Sequence, residues 1–245
     1  MSDILHIGWV REDRAHDELV KTLAAKVARA HHDWIDDSLD SMWSWKGPAN
    51  EDEPKLSGRI KVPGPGGKPL RLHGRIAGES LLPEASMHRT VLTAFAHRDP
   101  RPSIVIIAHD GDGDSKQRRM GFMQVRDRLE WAFDVVLAMP EPEGEAWFIC
   151  GFEPRDADER ARLAALTREL SFDPTKQPER TTSRPNDAAS DAKRILAKLT
   201  NRDALREAPC LDHSIDELMR RGRAVGLAEF IEDLSARLPH HFVAR

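Results

Sequence analysis

The sequence predicts an α/β fold with a mainly parallel sheet flanked by helices, because short apolar segments alternate with longer segments of helical periodicity. The apolar segments are Ile4–Val10, Ser103–Ala108 and Asp134–Met139, and each contains β-branched residues. Between and after them, apolar residues recur every three or four positions, as on one face of a helix. We also expect a small C-terminal α-helical appendage, because the last part of the chain contains helical segments only.

The N-terminal strand and helix are the first predicted elements. Ile4–Val10 is the first strand, and Glu12 stands at the junction to the next segment. His16–Ala30 is predicted to be a helix, because one face of it is apolar at Leu19, Val20, Leu23, Ala24 and Val27. An acidic residue between a strand and a helix is also favoured simply by the helix dipole.

The segment 33–100 is the least regular part of the chain, and we interpret it as a partly ordered insertion between two strands. It contains a Pro/Gly cluster at Val62–Pro69 and a helix-like piece at Pro83–His97. A structureless loop of this length is uncommon inside a compact domain. The insertion is therefore a candidate lid, with a turn at its Pro/Gly cluster.

The rest of the chain continues the alternation and then becomes helical. Ser103–Ala108 and Asp134–Met139 are the second and third strands, with helices at Lys116–Phe133 and Ala157–Leu170. The Pro- and Thr-rich segment Ser171–Asn186 is predicted to be a linker. We expect an α/β domain at 1–170 and a helical region at 187–245, whose helices are Asp187–Leu199 and Ser214–Leu238, the latter broken at Gly222 and Gly226.

The acidic turn after the second predicted strand is the chief candidate for a functional site. Its sequence is HDGDGD, with Asp110, Asp112 and Asp114 at alternate positions. Ligand and metal sites of open α/β sheets lie at the carboxyl ends of the strands. A basic helix follows, in which Arg118 and Arg119 are candidate contacts for nucleic acid phosphates. The alternative for this basic face is a helix surface exposed to solvent.

Three interpretations of the acidic turn remain open. An EF-hand calcium loop needs glycine at its sixth position and glutamate at its twelfth, but Ser115 and Gly121 occupy those positions. Asp and Gly are also common in ordinary turns, and Asp114 fits the N-cap of the following helix. A Mg²⁺ or Mn²⁺ site is the third interpretation, since repulsion between neighbouring carboxylates is relieved by a cation.

Three short motifs together resemble the Toprim domain, the catalytic fold of topoisomerases, bacterial primases and nucleases of the overcoming-lysogenisation-defect type. They are Glu12-Asp13-Arg14 after the first strand, the D-x-D of Asp110–Asp112, and Glu143–Trp147, which reads EGEAW. The first motif departs from the family pattern VEG-x-TDE, because it lacks the glycine. It is closer to small bacterial Toprim-like proteins, some of which are found near ATPases or in defence islands.

The resemblance implies a metal-dependent phosphodiesterase, a hydrolase of the nuclease type acting on DNA. Glu12 would be the general acid/base or a metal ligand, and Asp110 and Asp112 would hold the ion, Mg²⁺ or Mn²⁺. Asp114 and Glu145 are candidates for a second ion or for positioning. An ATPase partner in bacterial defence or DNA processing is a further implication. The alternatives are a non-catalytic interaction subunit with the same fold, and a phosphatase or phosphotransfer enzyme acting on small molecules.

Composition and the N-terminus limit the cellular setting that we expect. The 245 residues carry a net charge of −4, so nucleic acid binding requires a local basic patch. The two cysteines, Cys150 and Cys210, form no CxxC motif, which favours a reducing cytoplasm. We find no signal peptide and no apolar segment that predicts a membrane helix, and the chain is compatible with an oligomer.

Overall fold

The computed structural model describes residues 4–35, 38–52, 54–56, 60–62, 68–70, 72, 74–76, 78–183 and 188–242. Within them, the chain folds into a parallel sheet of four strands flanked by helices, which confirms the predicted α/β class. The strands are β1 (Leu5–Arg11), β2 (Trp43–Lys46), β3 (Arg75–Ile76), β4 (Glu79–Ser80), β5 (Ile104–Ala108) and β6 (Asp134–Ala138). The strands β3 and β4 form a separate two-stranded antiparallel hairpin.

The predicted helices are present with bounds that differ at several ends, and two short helices, Leu39–Met42 and Glu145–Gly151, were not predicted. The first half of the chain contains α1 (Ala15–His31), α2 (Leu39–Met42), α3 (Ala85–Ala96) and α4 (Ser115–Arg128). The second half contains α5 (Glu145–Gly151), α6 (Ala157–Leu170), α7 (Ala192–Leu199), α8 (Ile215–Gly222) and α9 (Leu227–Arg237). Helix α4 ends five residues earlier than the predicted Phe133, and the indole N–H of Trp131 donates a hydrogen bond of 3.2 Å to the carbonyl of Val125 in its last turn.

The sheet has the order β2-β1-β5-β6, and its central strands end in register. Arg11 pairs with Ala108, which in turn pairs with Ala138. The backbone N–H of Glu12 donates to the carbonyl of Ala108, so the pairing continues one residue past the strand. The residues that follow β1 and β5 therefore meet at one edge of the sheet.

Strand β2 is an element that the sequence pattern did not predict, because its four residues lie within the irregular segment 33–100. Trp43 and Trp45 in this strand make edge-to-face contacts with each other, and Trp45 does so with Trp9 of β1. The tryptophans thus belong to the sheet and its core. Most of the predicted turn at Val62–Pro69 lies outside the described residues.

The two faces of the sheet bury alternate residues of each strand, as the period of a β-strand requires. In β5, Ile104 and Ile106 face one core, while Val105 and Ile107 face the other. The first core contains α1, α5 and the C-terminal helices, and the second contains α3 and α4. Among the residues that the structure describes, no helix is both long and apolar enough to cross a membrane.

The C-terminal helices share the first core with α1. Phe230 and Ile231 of α9 are buried there, together with Leu23 of α1. The predicted interruption of the last helix is present, because α8 ends at Gly222 and Gly226 adopts a left-handed conformation with a φ of 81°. The predicted appendage therefore forms one layer against the sheet.

Candidate active site

The candidate site lies where β1 and β5 end, and its first feature is the contact between Glu12 and Asp110. The backbone N–H of Asp110 donates a hydrogen bond of 3.0 Å to Oε2 of Glu12, across 98 residues of sequence. Glu12 directly follows the end of β1, and Asp110 is the second residue after the end of β5, where the two strands end in register. The topology of the sheet therefore brings together two acidic residues that the sequence analysis predicted to cooperate.

The carboxylate of Asp110 is held in place by two donors. The backbone N–H of Gly144 and Nε2 of His16 each lie 3.0 Å from its Oδ1. Nδ1 of His16 accepts a hydrogen bond of 3.2 Å from the backbone of Asp13, so the neutral ring carries its proton on Nε2. Burial opposes the charged form of His16, but the hydrogen bond and charge of Asp110 outweigh it and raise the pKa of the imidazole.

Arg118 points its guanidinium group into the acidic cluster instead of outward. Its NH1 donates to the carbonyl of Asp110 and lies 3.3 Å from Oδ2 of Asp112 and 3.9 Å from Oε2 of Glu12. Only 16% of the side chain is exposed. Arg118 was predicted as a contact for nucleic acid phosphates, which stays a prediction; the structure places its guanidinium group where it balances the charge of these carboxylates.

Glu84 is a member of the site that the sequence analysis missed. It stands just before α3 in the predicted insertion, and its Oε1 lies 3.5 Å from Nε of Arg118. Its backbone has a φ of 64°, a left-handed conformation that is uncommon for a residue with a side chain. Such strain is often found at functional sites. Nothing in the local sequence distinguishes this glutamate from other exposed acidic residues.

Gly121 allows α4 to approach the segment that carries Glu84. A Cβ atom at Gly121 would lie 2.2 Å from the carbonyl oxygen of Pro83, far closer than real Cβ contacts. Arg118 and Gly121 are three residues apart on α4 and thus lie on the same side of the helix. The close contact therefore sets the position of Glu84 relative to Arg118.

We expect Gly121→Ala to lower the free energy of unfolding by about 1–3 kcal/mol, because the backbone of α4 must move away from Pro83. Urea denaturation measures the effect. Gly74→Ala is the matched control, because a Cβ there meets nothing within 4 Å. Equal behaviour of the two variants would contradict this role of Gly121.

His109 is buried between the acidic cluster and a second histidine. Its Nε2 lies 3.4 Å from both Oε2 of Glu12 and Oε2 of Glu84. Burial and the charge of Arg118 lower the pKa of His109 to about 4, so its ring is neutral at pH 7. Behind it, the ring of His88 lies 5.7 Å away, and burial lowers the pKa of His88 to about 3. His109 therefore positions the two glutamates as a neutral group.

The remaining candidates of the acidic turn and basic helix lie farther from the centre. Asp112 is 39% exposed, and its carboxylate contacts the site through Arg118. Asp114 occupies the N-cap position of α4, but its exposed side chain makes no capping hydrogen bond, unlike the predicted cap. Arg119 lines a separate groove beside Ser80 and Met120.

A second acidic group lies on the other side of Asp110, at the start of α5. Glu143 is buried, and its Oε2 is 3.2 Å from Nζ of Lys193 on α7. Glu145, predicted as a metal ligand, is the first residue of α5. Burial and the neighbouring Glu143 raise the pKa of Glu145 to about 7, although Lys193 opposes this shift. These residues connect the carboxyl end of the sheet to the C-terminal helices.

We expect Glu145 to make the fold less stable as the pH rises. The pKa of Glu145 is about 7 in the folded protein and about 4.5 in an ordinary environment. The protonated form therefore stabilises the fold below pH 4.5, and this contribution is lost as the pH rises from 4.5 to about 7. The loss amounts to about 3 kcal/mol, because each pKa unit corresponds to about 1.4 kcal/mol. Urea unfolding at several pH values should show a smaller pH dependence in Glu145→Gln. An unchanged pH dependence would contradict the assignment.

The donor chemistry of the central cluster fits a hard divalent cation. Glu12, Asp110 and Asp112 each retain a carboxylate oxygen that accepts no hydrogen bond from the described residues. No three His, Cys, Asp or Glu side chains in the described ranges are close enough to ligate one ion together. Magnesium is commonly bound by only one or two carboxylates, with water and a substrate phosphate as further ligands. The site therefore fits Mg²⁺ or Mn²⁺ bound by one or two carboxylates together with water and a substrate phosphate. It does not fit an ion bound by protein ligands alone.

Comparison with known proteins gives no family to which the chain can be assigned. No family model matches the sequence, and neither the curated proteins nor the solved structures gave a match. The function must therefore be argued from the geometry of the site.

Proposed function

We propose that this protein is a metal-dependent phosphodiesterase of Toprim type that cleaves nucleic acid. The observation that carries the proposal is the contact of Glu12 with Asp110 at the aligned ends of β1 and β5. The order of the motifs along the chain, which resembles that of the Toprim domain, supports it. Carboxylates at the carboxyl edge of a parallel sheet are well placed to act on a substrate phosphate.

The side chains of the site would hold the ion, transfer a proton and bind the phosphate. Two carboxylates of the cluster, Asp110 with either Glu12 or Asp112, would hold Mg²⁺ or Mn²⁺, which supplies Lewis acidity toward a phosphoryl oxygen when bound. Burial raises the pKa of Glu12, and the charges of Asp110 and Asp112 add to this effect. A carboxyl group with a raised pKa accepts a proton more readily than an ordinary carboxylate, which suits the role of a general acid or base. Arg118 binds and orients the phosphate, because its guanidinium group already lies among the carboxylates.

A non-catalytic interaction subunit is the second candidate, and the position of Arg118 favours it. Its guanidinium group contacts Glu12, Glu84 and Asp112 and so balances their charge without an ion. In this case the same fold would bind an ATPase through its C-terminal helices and the segment 33–100. The two candidates differ in whether the purified chain binds divalent cations.

Calorimetric titration with Mg²⁺ and Mn²⁺, together with cleavage of labelled DNA and RNA oligonucleotides, tests the proposal. Metal binding with metal-dependent cleavage is the expected result. Absence of both, with tight co-purification of a partner, would select the non-catalytic subunit. Turnover of a small phosphate ester without any action on nucleic acid would instead select a phosphatase.

A further inference from the structure

Helix α7 lines a groove whose polar lining residues, among those that the structure describes, are all cationic. The groove has a volume of about 440 Å³ and is lined by Lys193, Arg194, Ala197, Lys198 and Arg202. The opposite side of α7 is buried in the core through Ala192, Ile195, Leu196 and Leu199. The helix therefore displays its basic residues in a row along a concave surface.

The inner end of this groove is connected to the candidate active site. Nζ of Lys193 lies 3.2 Å from Oε2 of Glu143. Gly144, which follows Glu143 in the chain, donates its backbone N–H to Oδ1 of Asp110. Charges of Glu145 and Glu143 raise the pKa of Lys193 against the effect of burial, so its ammonium group stays charged. The basic row thus begins beside the carboxylate that the proposed function places at the centre of the site.

A turn that directly follows α7 forms the outer end of the groove. Asn201 and Arg202 adopt left-handed conformations with φ values of 56° and 59°. The backbone N–H of Arg202 donates a hydrogen bond of 2.8 Å to the carbonyl of Ala197. This turn brings Arg202 back to the groove, where it lines the same surface as Lys198.

We propose that this groove, hereafter the α7 groove, binds the phosphodiester backbone of a nucleic acid strand and leads it to the site at Asp110. This inference deepens the proposed function and rests on it. Lys193 and Lys198 are five residues apart on the helix, which corresponds to about 7.5 Å. A row of cations with this spacing suits successive phosphates and carries affinity without base specificity.

Glu169 competes with the strand for two of these cations. Its carboxylate lies 3.1 Å from NH2 of Arg194 and 2.5 Å from Nζ of Lys198. A bound phosphate would replace Glu169 as their partner. Removal of this charge should therefore strengthen binding, whereas removal of Lys198 and Arg202 should weaken it.

Fluorescence anisotropy with a fluorescein-labelled single-stranded DNA oligonucleotide in EDTA tests the α7 groove without any dependence on catalysis. The double variant Lys198→Gln/Arg202→Gln should bind about tenfold more weakly. Its plot of log affinity against log salt should be shallower by about 1.4, since each lost contact to a single strand removes about 0.7. Glu169→Gln should bind more tightly than the wild type. Arg29→Gln is the control, because Arg29 is exposed in the last turn of α1.

The outcomes separate this inference from the proposed function. Unchanged affinity and salt dependence in the double variant would overturn the α7 groove, even if the wild-type protein cleaves DNA. Weaker binding by the double variant and tighter binding by Glu169→Gln would support it. That support would stand even if the wild-type protein showed no metal-dependent cleavage, in which case only the catalytic proposal would fail.

Discussion

Glu12→Gln and Asp110→Asn should each lower Mg²⁺-dependent phosphodiester cleavage by about 10²–10⁴-fold, the range typical for loss of a general acid or base. Glu12→Gln removes the group whose raised pKa suits proton transfer, and Asp110→Asn removes a negative charge beside the proposed ion. Both substitutions keep the shape of the side chain. Initial rates of oligonucleotide cleavage at saturating Mg²⁺ measure the effect.

Measurements of metal affinity and of stability should show whether a lower cleavage rate comes from loss of the ion or from loss of the folded structure. Both should bind Mg²⁺ more weakly by calorimetry while unfolding in urea close to the wild type. Glu130→Gln is the matched control, because Glu130 is an exposed carboxylate beyond the end of α4. If both variants retained wild-type cleavage rates, Glu12 and Asp110 would have no part in the reaction.

Arg206→Ala should lower the free energy of unfolding by about 3–5 kcal/mol, because it removes the arginine that forms a two-pronged ion pair with a buried carboxylate. Nε and NH2 of Arg206 donate to the two carboxylate oxygens of Glu159 at 2.6 and 2.9 Å. Side-chain exposure is only 10% for Arg206 and 6% for Glu159. NH2 also donates to the backbone carbonyl of Glu153, so this arginine ties the C-terminal helical region to the start of α6.

The pH dependence of stability provides the control for Arg206→Ala. The hydrogen bonds from Arg206 lower the pKa of Glu159 to about 2, from an ordinary value of 4.5. A carboxyl group with a lowered pKa stabilises the fold above its unfolded value, and this contribution is lost as the pH falls towards 2. The stability difference between wild type and variant should therefore shrink in acid. A double variant, Glu159→Leu/Arg206→Met, should be less destabilised than Arg206→Ala. A constant difference at all pH values would contradict the assignment.

The elements with a clear period could be predicted from the sequence. Helix Ala157–Leu170 has the predicted bounds, and strands β1, β5 and β6 begin and end within one residue of theirs. Their apolar runs are long enough to show the pattern of a buried strand. Because the strands are parallel, the pattern also placed Glu12 and Asp110 at the same edge of the sheet.

The parts that could not be predicted depend on contacts between distant segments. Strand β2 has only four residues, too few for an alternating pattern to be recognised against its irregular surroundings. Glu84 joins the site only because α3 packs against α4 and the chain is left-handed at that residue. The direction of Arg118 is likewise set by the carboxylates around it, and a helical pattern contains no such information.

The contact between Gly121 and Pro83 has a consequence for how this protein can change during evolution. The segment between β2 and α3 ends at a fixed point, because α4 holds the backbone at Pro83. The free energy of closing a loop changes only slowly with its length. Insertions and deletions before Pro83 can therefore accumulate without moving Glu84. The length of this segment can therefore vary independently of the geometry of the candidate site.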